Sequence, residues 1–266
     1  MRLFLSIALL LSFAACDKVN SRALIKEGNA FYKSGKLKAA LAKFEEASQL
    51  DESFATLQLH LGYAAMALAN NGSNGSNGDD TKNADAYTDK ALKAFSRYIA
   101  LKPSDRRGRK YYLQVLLDAE RFDGALDFLG KRHEKHPKDL EIISALGMVS
   151  SRANRFEDAL KWYEKRATLT PQAAKPLYLV GTLCWQHLHK NKGVVGVERI
   201  RIADRGLRAL GEALRLKADY VEALTYSNLL YRQRALGHED EAAKAIDLKK
   251  AQQLYEQALK LSGKKK

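Results

Sequence analysis

Self-similarity constrains this chain more than any other feature. Gly28, Gly62, Leu113, Gly147, Gly181 and Asn228 lie 34, 51, 34, 34 and 47 residues apart. A second series, Ala40, Ala91, Ala125, Ala159, Gly206 and Ala251, is spaced by 51, 34, 34, 47 and 45. Four residues after each member of that second series stands a large apolar residue: Phe44, Phe95, Leu129, Tyr163, Leu210 and Tyr255. Pro103, Pro137 and Pro171 close three consecutive units at intervals of 34. A fixed period with occasional insertions means that one supersecondary unit is stacked on copies of itself, whereas a compact helix bundle needs no such period. Small residues facing large ones let two helices approach closely, with bulky side chains entering the gaps. Hydrophobic residues at 46% and only 4 prolines, with abundant Ala, Leu, Lys and Glu, fit an ordered helical protein.

The segment from Gly28 to Phe44 carries, in order, glycine, aromatic, the turn glycine Gly35, the small residue Ala40 and a second aromatic. It resembles the tetratricopeptide repeat, a helix-turn-helix unit of 34 residues, and the resemblance extends over about residues 21 to 262. It implies an all-α, right-handed superhelical solenoid of about six units, at 21–54, 55–105, 106–139, 140–173, 174–220 and 221–262, followed by a basic tail at 263–266. Leu113 and Asn228 at the glycine position, Arg132 and Arg166 where a small residue is usual, and Ala218 for a closing proline depart from the pattern and predict locally looser packing.

Three units exceed 34 residues, by 17, 13 and 11, and the extra residues fall between the two helices of the unit. The insertions lie at 70–86, 190–202 and 235–248 and should decorate one edge of a solenoid. Asn70 to Asp80 is Asn, Gly and Ser with two aspartates, a composition that predicts a mobile linker without the spaced ligands of a calcium loop. Lys190 to Ile202 holds a Gly-Val-Val-Gly turn with Arg199 and Arg201, and Ala235 to Leu248 reads as helix extension.

The N-terminus reads as a targeting segment: Arg2, an apolar stretch from Leu3 to Phe13, and the small-residue end Ala14-Ala15-Cys16. Leu11 to Cys16 resembles the bacterial lipobox, which implies removal of residues 1–15 and a covalent lipid on Cys16, with no other cofactor. Residues 16–20 would then form a short tether, roughly 13 to 15 Å if extended. The expected location is the cell envelope, anchored to a bacterial membrane and facing the periplasm. Cys184 is left as a buried thiol without a disulfide partner. The net charge is +14, or +13 once Arg2 is removed, which points to acidic partners or anionic lipid head groups. The charges are dispersed and an exported lipoprotein rarely meets nucleic acid, so nucleic acid is not expected as a partner.

In the family it resembles, the first helices line a concave groove that takes up a peptide or partner helix. Carried over, that groove presents Asn29, Tyr32, Lys33, Tyr63, Met66, Arg107, Lys110, Gln114, Met148, Arg152, Tyr178, Thr182, Trp185 and Arg232. Met66 and Met148 read as readily as core. Aromatic contact area dotted with Arg and Lys suits an acidic or amphipathic peptide. The clamp that some members use for a C-terminal carboxylate is matched only by Asn29 and Arg107, with Ile25, His60 and Tyr111 at its other positions. Catalysis is not expected: the pairs His187/His189 and His133/His136 lack further ligands, and no phosphate loop, nucleophile elbow or metal signature is present. The reading is an envelope scaffold for other proteins without a small-molecule substrate; the alternative is a lipid-anchored binder of anionic envelope polymers or head groups.

Overall fold

The computed structural model describes the backbone of residues 2–73 and 78–263 and the side chains of residues 17–72 and 83–263. The described residues form twelve α-helices and no strand. In chain order these are α1 (Arg2–Lys33), α2 (Leu37–Leu50), α3 (Ala55–Ser73), α4 (Gly78–Leu101), α5 (Arg106–Asp118), α6 (Phe122–Lys135), α7 (Leu140–Arg152), α8 (Phe156–Leu169), α9 (Ala174–Lys190), α10 (Gly196–Leu216), α11 (Val221–Ala235) and α12 (Glu241–Gly263). They divide into two compact units, Met1–Ala125 and Leu126–Lys266. Within each unit helices pack as consecutive pairs, and a pair's second helix also packs on the first helix of the next: α2 on α3 and α4 on α5, then α8 on α9 and α10 on α11. This serial stacking is that of an all-α solenoid.

The turn inside a pair is built the same way at three places. Gly35, Glu120 and Asn154 have φ of 76°, 53° and 58°, the left-handed conformation that ends a helix. The next residue's N–H then reaches back five residues, Lys36 to Phe31, Arg121 to Leu116 and Arg155 to Ser150, at 2.8 to 2.9 Å. Pro103, Pro137 and Pro171 each stand two residues beyond the end of a second helix. Asp105 and Asp139 cap the helices that follow the first two, accepting from Arg107 N and from Glu141 N and Ile142 N.

Packing inside a pair follows the small-to-large pattern. A Cβ on Gly28 would lie 2.5 Å from the Phe44 ring, on Gly62 2.5 Å from Phe95, on Gly147 2.9 Å from Tyr163 and on Gly181 2.3 Å from Leu210. Ala40, Ala91, Ala125, Ala159 and Ala251 are fully buried, as is Gly206, whose Cβ would strike Leu230 and Cys184. Burial of Phe44, Phe95, Leu129 and Leu210 contributes about 1.5 to 3 kcal/mol each.

The insertions lengthen helices. Ordinary pairs use helices of 13 or 14 residues, whereas α3 and α4 have 19 and 24, α9 and α10 17 and 21, and α12 23. The linker expected from Asn70 to Asp80 is thus corrected: 70–73 continue α3, 78 onward belongs to α4, and only 74–77 lie outside the described residues. Helix propagation adds a hydrogen bond per residue once a long helix exists, which outweighs the poor propensity of Asn and Ser here. In the second unit Gly237, just after α11, packs on the Gly196 carbonyl, so the turns of the last two pairs meet. Arg199 from the second insertion is buried: its Nε donates to the Val194 carbonyl (2.8 Å) and its Nη1 to Gln233. Residues 17–20, read as a tether, are helical and exposed within α1; the side chain of Cys16 and the tail at 264–266 lie outside the described residues.

Candidate functional site

In the first unit α3 and α5 share an aromatic cluster whose two tyrosines are half-buried against the core. Tyr63 and Tyr111 meet edge to face with centroids 4.8 Å apart, and both contact the buried Phe95, at 5.8 and 5.7 Å. Burial, helped by the hydrogen bond with Tyr111, pushes the Tyr63 hydroxyl up to about 12. Next to it Arg107 is held by Asp105: Nε and Nη2 donate to the carboxylate at 2.7 to 3.2 Å, and Nη2 also donates to the Tyr98 hydroxyl at 3.0 Å. Tyr98 donates to Asp105 at 2.6 Å, and these partners keep the Asp105 carboxyl well below the usual carboxylate range. Lys110 lies 5.5 Å over the Tyr111 ring, and Gln114 donates to Asp118. Tyr32 and Lys33 are exposed, Asn29 is half-buried, and Met66 packs against the core.

In the second unit α9 and α11, both first helices, lie side by side. Tyr178 meets Tyr220 at 5.1 Å and Tyr226 at 5.6 Å; Trp185 meets Tyr226 edge to face at 5.3 Å and stacks on His189 at 4.8 Å. Burial pushes the Tyr178 hydroxyl up to about 12, with Tyr226 and Tyr220 adding to it. Met148 and Arg152 on α7 are exposed, so Met148 is not a core residue. Thr182 is buried and its hydroxyl donates to the Leu179 carbonyl, leaving it no surface to offer. Arg232 is exposed and donates to Asn228 at 2.9 Å.

Tyr220, Tyr226 and His189 were not among the residues expected to line a groove. Tyr226 is on the following first helix and Tyr220 caps its start, while His189 stands four residues after Trp185 on α9 itself, a spacing that puts the two rings on one helix face. The histidine pairs separate: His187 stacks on Phe156 at 3.9 Å, while His133 lies 2.8 Å from the Lys165 ammonium and edge-on to Trp162. Among the described residues no group of three or more His, Cys, Asp or Glu could hold a metal ion, and no helix is long and apolar enough to cross a membrane. Cys184 is buried, and burial pushes its thiol up to about 12.

The opposite faces of the pairs are ion-paired. Lys90 pairs with Glu45 and Arg97 with Glu52 in the first unit; Arg205 pairs with Glu164 (2.7 Å) and Glu157 (3.1 Å) in the second. An open depression of about 510 Å³ between α8, α9 and α10 has Leu177 and Val180 on its floor and Arg205, Arg208 and Arg215 on its rim. Cation and anion alternate there.

Two family descriptions match the chain: "TPR repeat" at residues 28–68 and "Tetratricopeptide repeat" at residues 142–177. Over those two stretches the chain carries tetratricopeptide repeats. In fold it is similar to the C-terminal part of a TPR repeat-containing protein from Cytophaga hutchinsonii, at 12% identity over 90% of this chain and 79% of that one, with a TM-score of 0.53. Other similar structures are YrrB, described as a TPR protein with an unusual peptide-binding site (19% identity, 76% of this chain and 88% of that one, TM-score 0.42), and pilF of Pseudomonas aeruginosa (14%, 93% and 99%, 0.40). No curated protein matches the chain. Tetratricopeptide repeats typically form interaction scaffolds rather than catalytic sites, and the repeats here support a protein–protein interaction scaffold.

Proposed function

We propose that this protein is a lipid-anchored scaffold of a bacterial envelope that holds an acidic or amphipathic peptide or helix against the aromatics of its first helices. The observation that carries the reading is the ladder Tyr220–Tyr178–Tyr226–Trp185 in the second unit, with ring contacts of 5.1 to 5.6 Å. Tyr226 meets Tyr178 and Trp185 edge to face and Tyr220 is tilted on Tyr178; rings that hold one another in place offer contact area at low entropic cost. Arg152 and Lys217 on the same unit supply positive charge to a carboxylate-bearing partner. The envelope location and the anchor rest on the N-terminal segment ending in Cys16.

Two experiments test this. Labelled palmitate should enter the native chain and be absent from Cys16→Ser; incorporation into both rules out that anchor. A photo-crosslinking amino acid at Tyr226 should give a discrete adduct in intact envelopes, while the same probe at Lys161, exposed on second helix α8, should not. Equal adducts at both places would remove the first-helix assignment.

A further inference from the structure

One junction between helix pairs lacks the side chain that fills its neighbours. The residue just before the large apolar one of a second helix is Trp162 in α8, Ala209 in α10 and Leu254 in α12. Trp162 reaches back to His133 of α6, edge to face at 5.0 Å, and Leu254 shares a core cluster with Leu214 of α10 and Leu224 of α11. The methyl group of Ala209 is too short to cross in this way, and the depression of about 510 Å³ between α8, α9 and α10 lies over it.

The first unit shows how an alanine junction can instead be closed. Ala94 of α4 holds the same place, and a depression of about 350 Å³ lies over it as well, with Gln58, Lys90 and Lys93 at the repeat positions of Leu177, Arg205 and Arg208. There the floor is polar: Gln58 is buried and donates to the Ser48 hydroxyl at 3.1 Å. Two ion pairs, Lys90 with Glu45 and Arg97 with Glu52, span that depression from α4 to α2. In the second unit the first of these recurs, Arg205 donating twice to Glu164 at 2.7 Å. The second cannot, because Pro171 stands where Glu52 does and Glu212 where Arg97 does. Glu212 accepts instead from Arg215 on its own helix, at 2.7 Å. The depression is thus apolar on its floor and unbridged at one end. Three arginines at its rim face two glutamates, and Arg208 is exposed with no acidic partner among the described residues.

We propose that this depression binds a small carboxylate with an apolar body, an aryl ring or a branched alkyl chain. The body takes the place that Trp162 and Leu254 fill at the neighbouring junctions, on Leu177, Val180 and Ala209. The carboxylate takes Arg208, whose planar guanidinium matches it and whose charge nothing else at the rim offsets. The volume is that of a small-molecule site. A partner helix fits less well: laid along the seam between α8 and α10, it would have to displace the Arg205 bridges to Glu164 and Glu157. A small ligand enters at the unbridged end and leaves them in place. The site uses none of the aromatics assigned to a protein partner.

The test is ligand-observed NMR titration of the full chain in mild detergent, with detergent-only blanks. The probes are phenylacetate, indoleacetate and isovalerate, each beside its uncharged amide. At least one carboxylate should bind saturably with a Kd of about 1 mM or tighter, and its amide about tenfold or more weakly. Arg208→Gln should weaken the carboxylate to the level of the amide, whereas Lys93→Gln, at the equivalent position of the first unit, should change nothing. Ala209→Trp, which closes the depression as Trp162 closes its own junction, should abolish binding. Should that variant fail to fold, Arg208→Gln at its exposed position still decides. No saturable binding of any probe up to about 10 mM overturns the proposal. Equal binding by the native chain and Arg208→Gln overturns it too, since the carboxylate would then be held elsewhere.

Discussion

The ring of Phe95 lies against the backbone of Gly62 so closely that a Cβ there would come within 2.5 Å of it. The same relation joins Gly28 to Phe44 and Gly181 to Leu210. Gly62→Ala should therefore destabilise the first unit by about 1 to 3 kcal/mol through overpacking. Gly130→Ala and Gly211→Ala, in helices with nothing within 4 Å of the new methyl, should stabilise by about 0.5 to 1 kcal/mol. Urea denaturation followed by circular dichroism separates the two classes by the sign of the shift.

Glu120 sits at φ 53° where the equivalent turn of the first repeat has Gly35 at 76°. A side chain in that conformation costs about 1 to 2 kcal/mol, partly offset by its lower unfolded-state entropy. Glu120→Gly should raise stability by up to about 1 kcal/mol, and Gly35→Ala should lower it by a similar amount, read as opposite shifts of the thermal midpoint.

Asp247 is almost fully buried between α11 and α12, receiving Arg234 Nε and Nη2 at 2.8 and 2.5 Å and lying 3.0 Å from His238 Nε2. Burial alone would raise its pKa; the hydrogen bonds and charge of Arg234, aided by His238, overcome that and lower it. A lowered folded pKa contributes stability that is present above the unfolded value, about 3.9, and lost as pH falls through the folded value. The last repeat should thus loosen below about pH 4, and Asp247→Asn should lose that acid dependence while costing about 3 to 5 kcal/mol at neutral pH. Hydrogen exchange of α11 and α12 amides across pH reads both effects.

Burial that pushes Cys184 up to about 12 keeps it a thiol at pH 8. In a Cys16→Ser background, Ellman's reagent should react with Cys184 only at the rate at which the second unit opens, and immediately in denaturant. Rapid labelling of the folded chain would contradict its placement against Gly206 and Leu230.

The helix pairs and their small-to-large core were legible in the sequence because the contacts involved are local: Gly28 and Phe44 are 16 residues apart and repeat with the period. Tyr63, Tyr178 and Trp185 were named only because the resemblance places those positions on first helices. Tyr220 and Tyr226 were not, since their meeting with Tyr178 depends on how neighbouring pairs stack. Composition misjudged Asn70 to Ser73, where extension of an existing helix overrides weak propensity. Thr182 was misread as groove-facing because its helical position says nothing about a hydroxyl turned to the Leu179 carbonyl.

The central claim is that first-helix aromatics hold a protein partner, and its most direct test is a crosslinking pull-down from intact envelopes. The native chain is compared with a variant carrying Tyr63→Ala, Tyr178→Ala and Trp185→Ala that shows the native circular dichroism spectrum. A discrete protein retained by the native chain and lost from the variant is the predicted result. The same protein captured equally by both would contradict the assignment of the site.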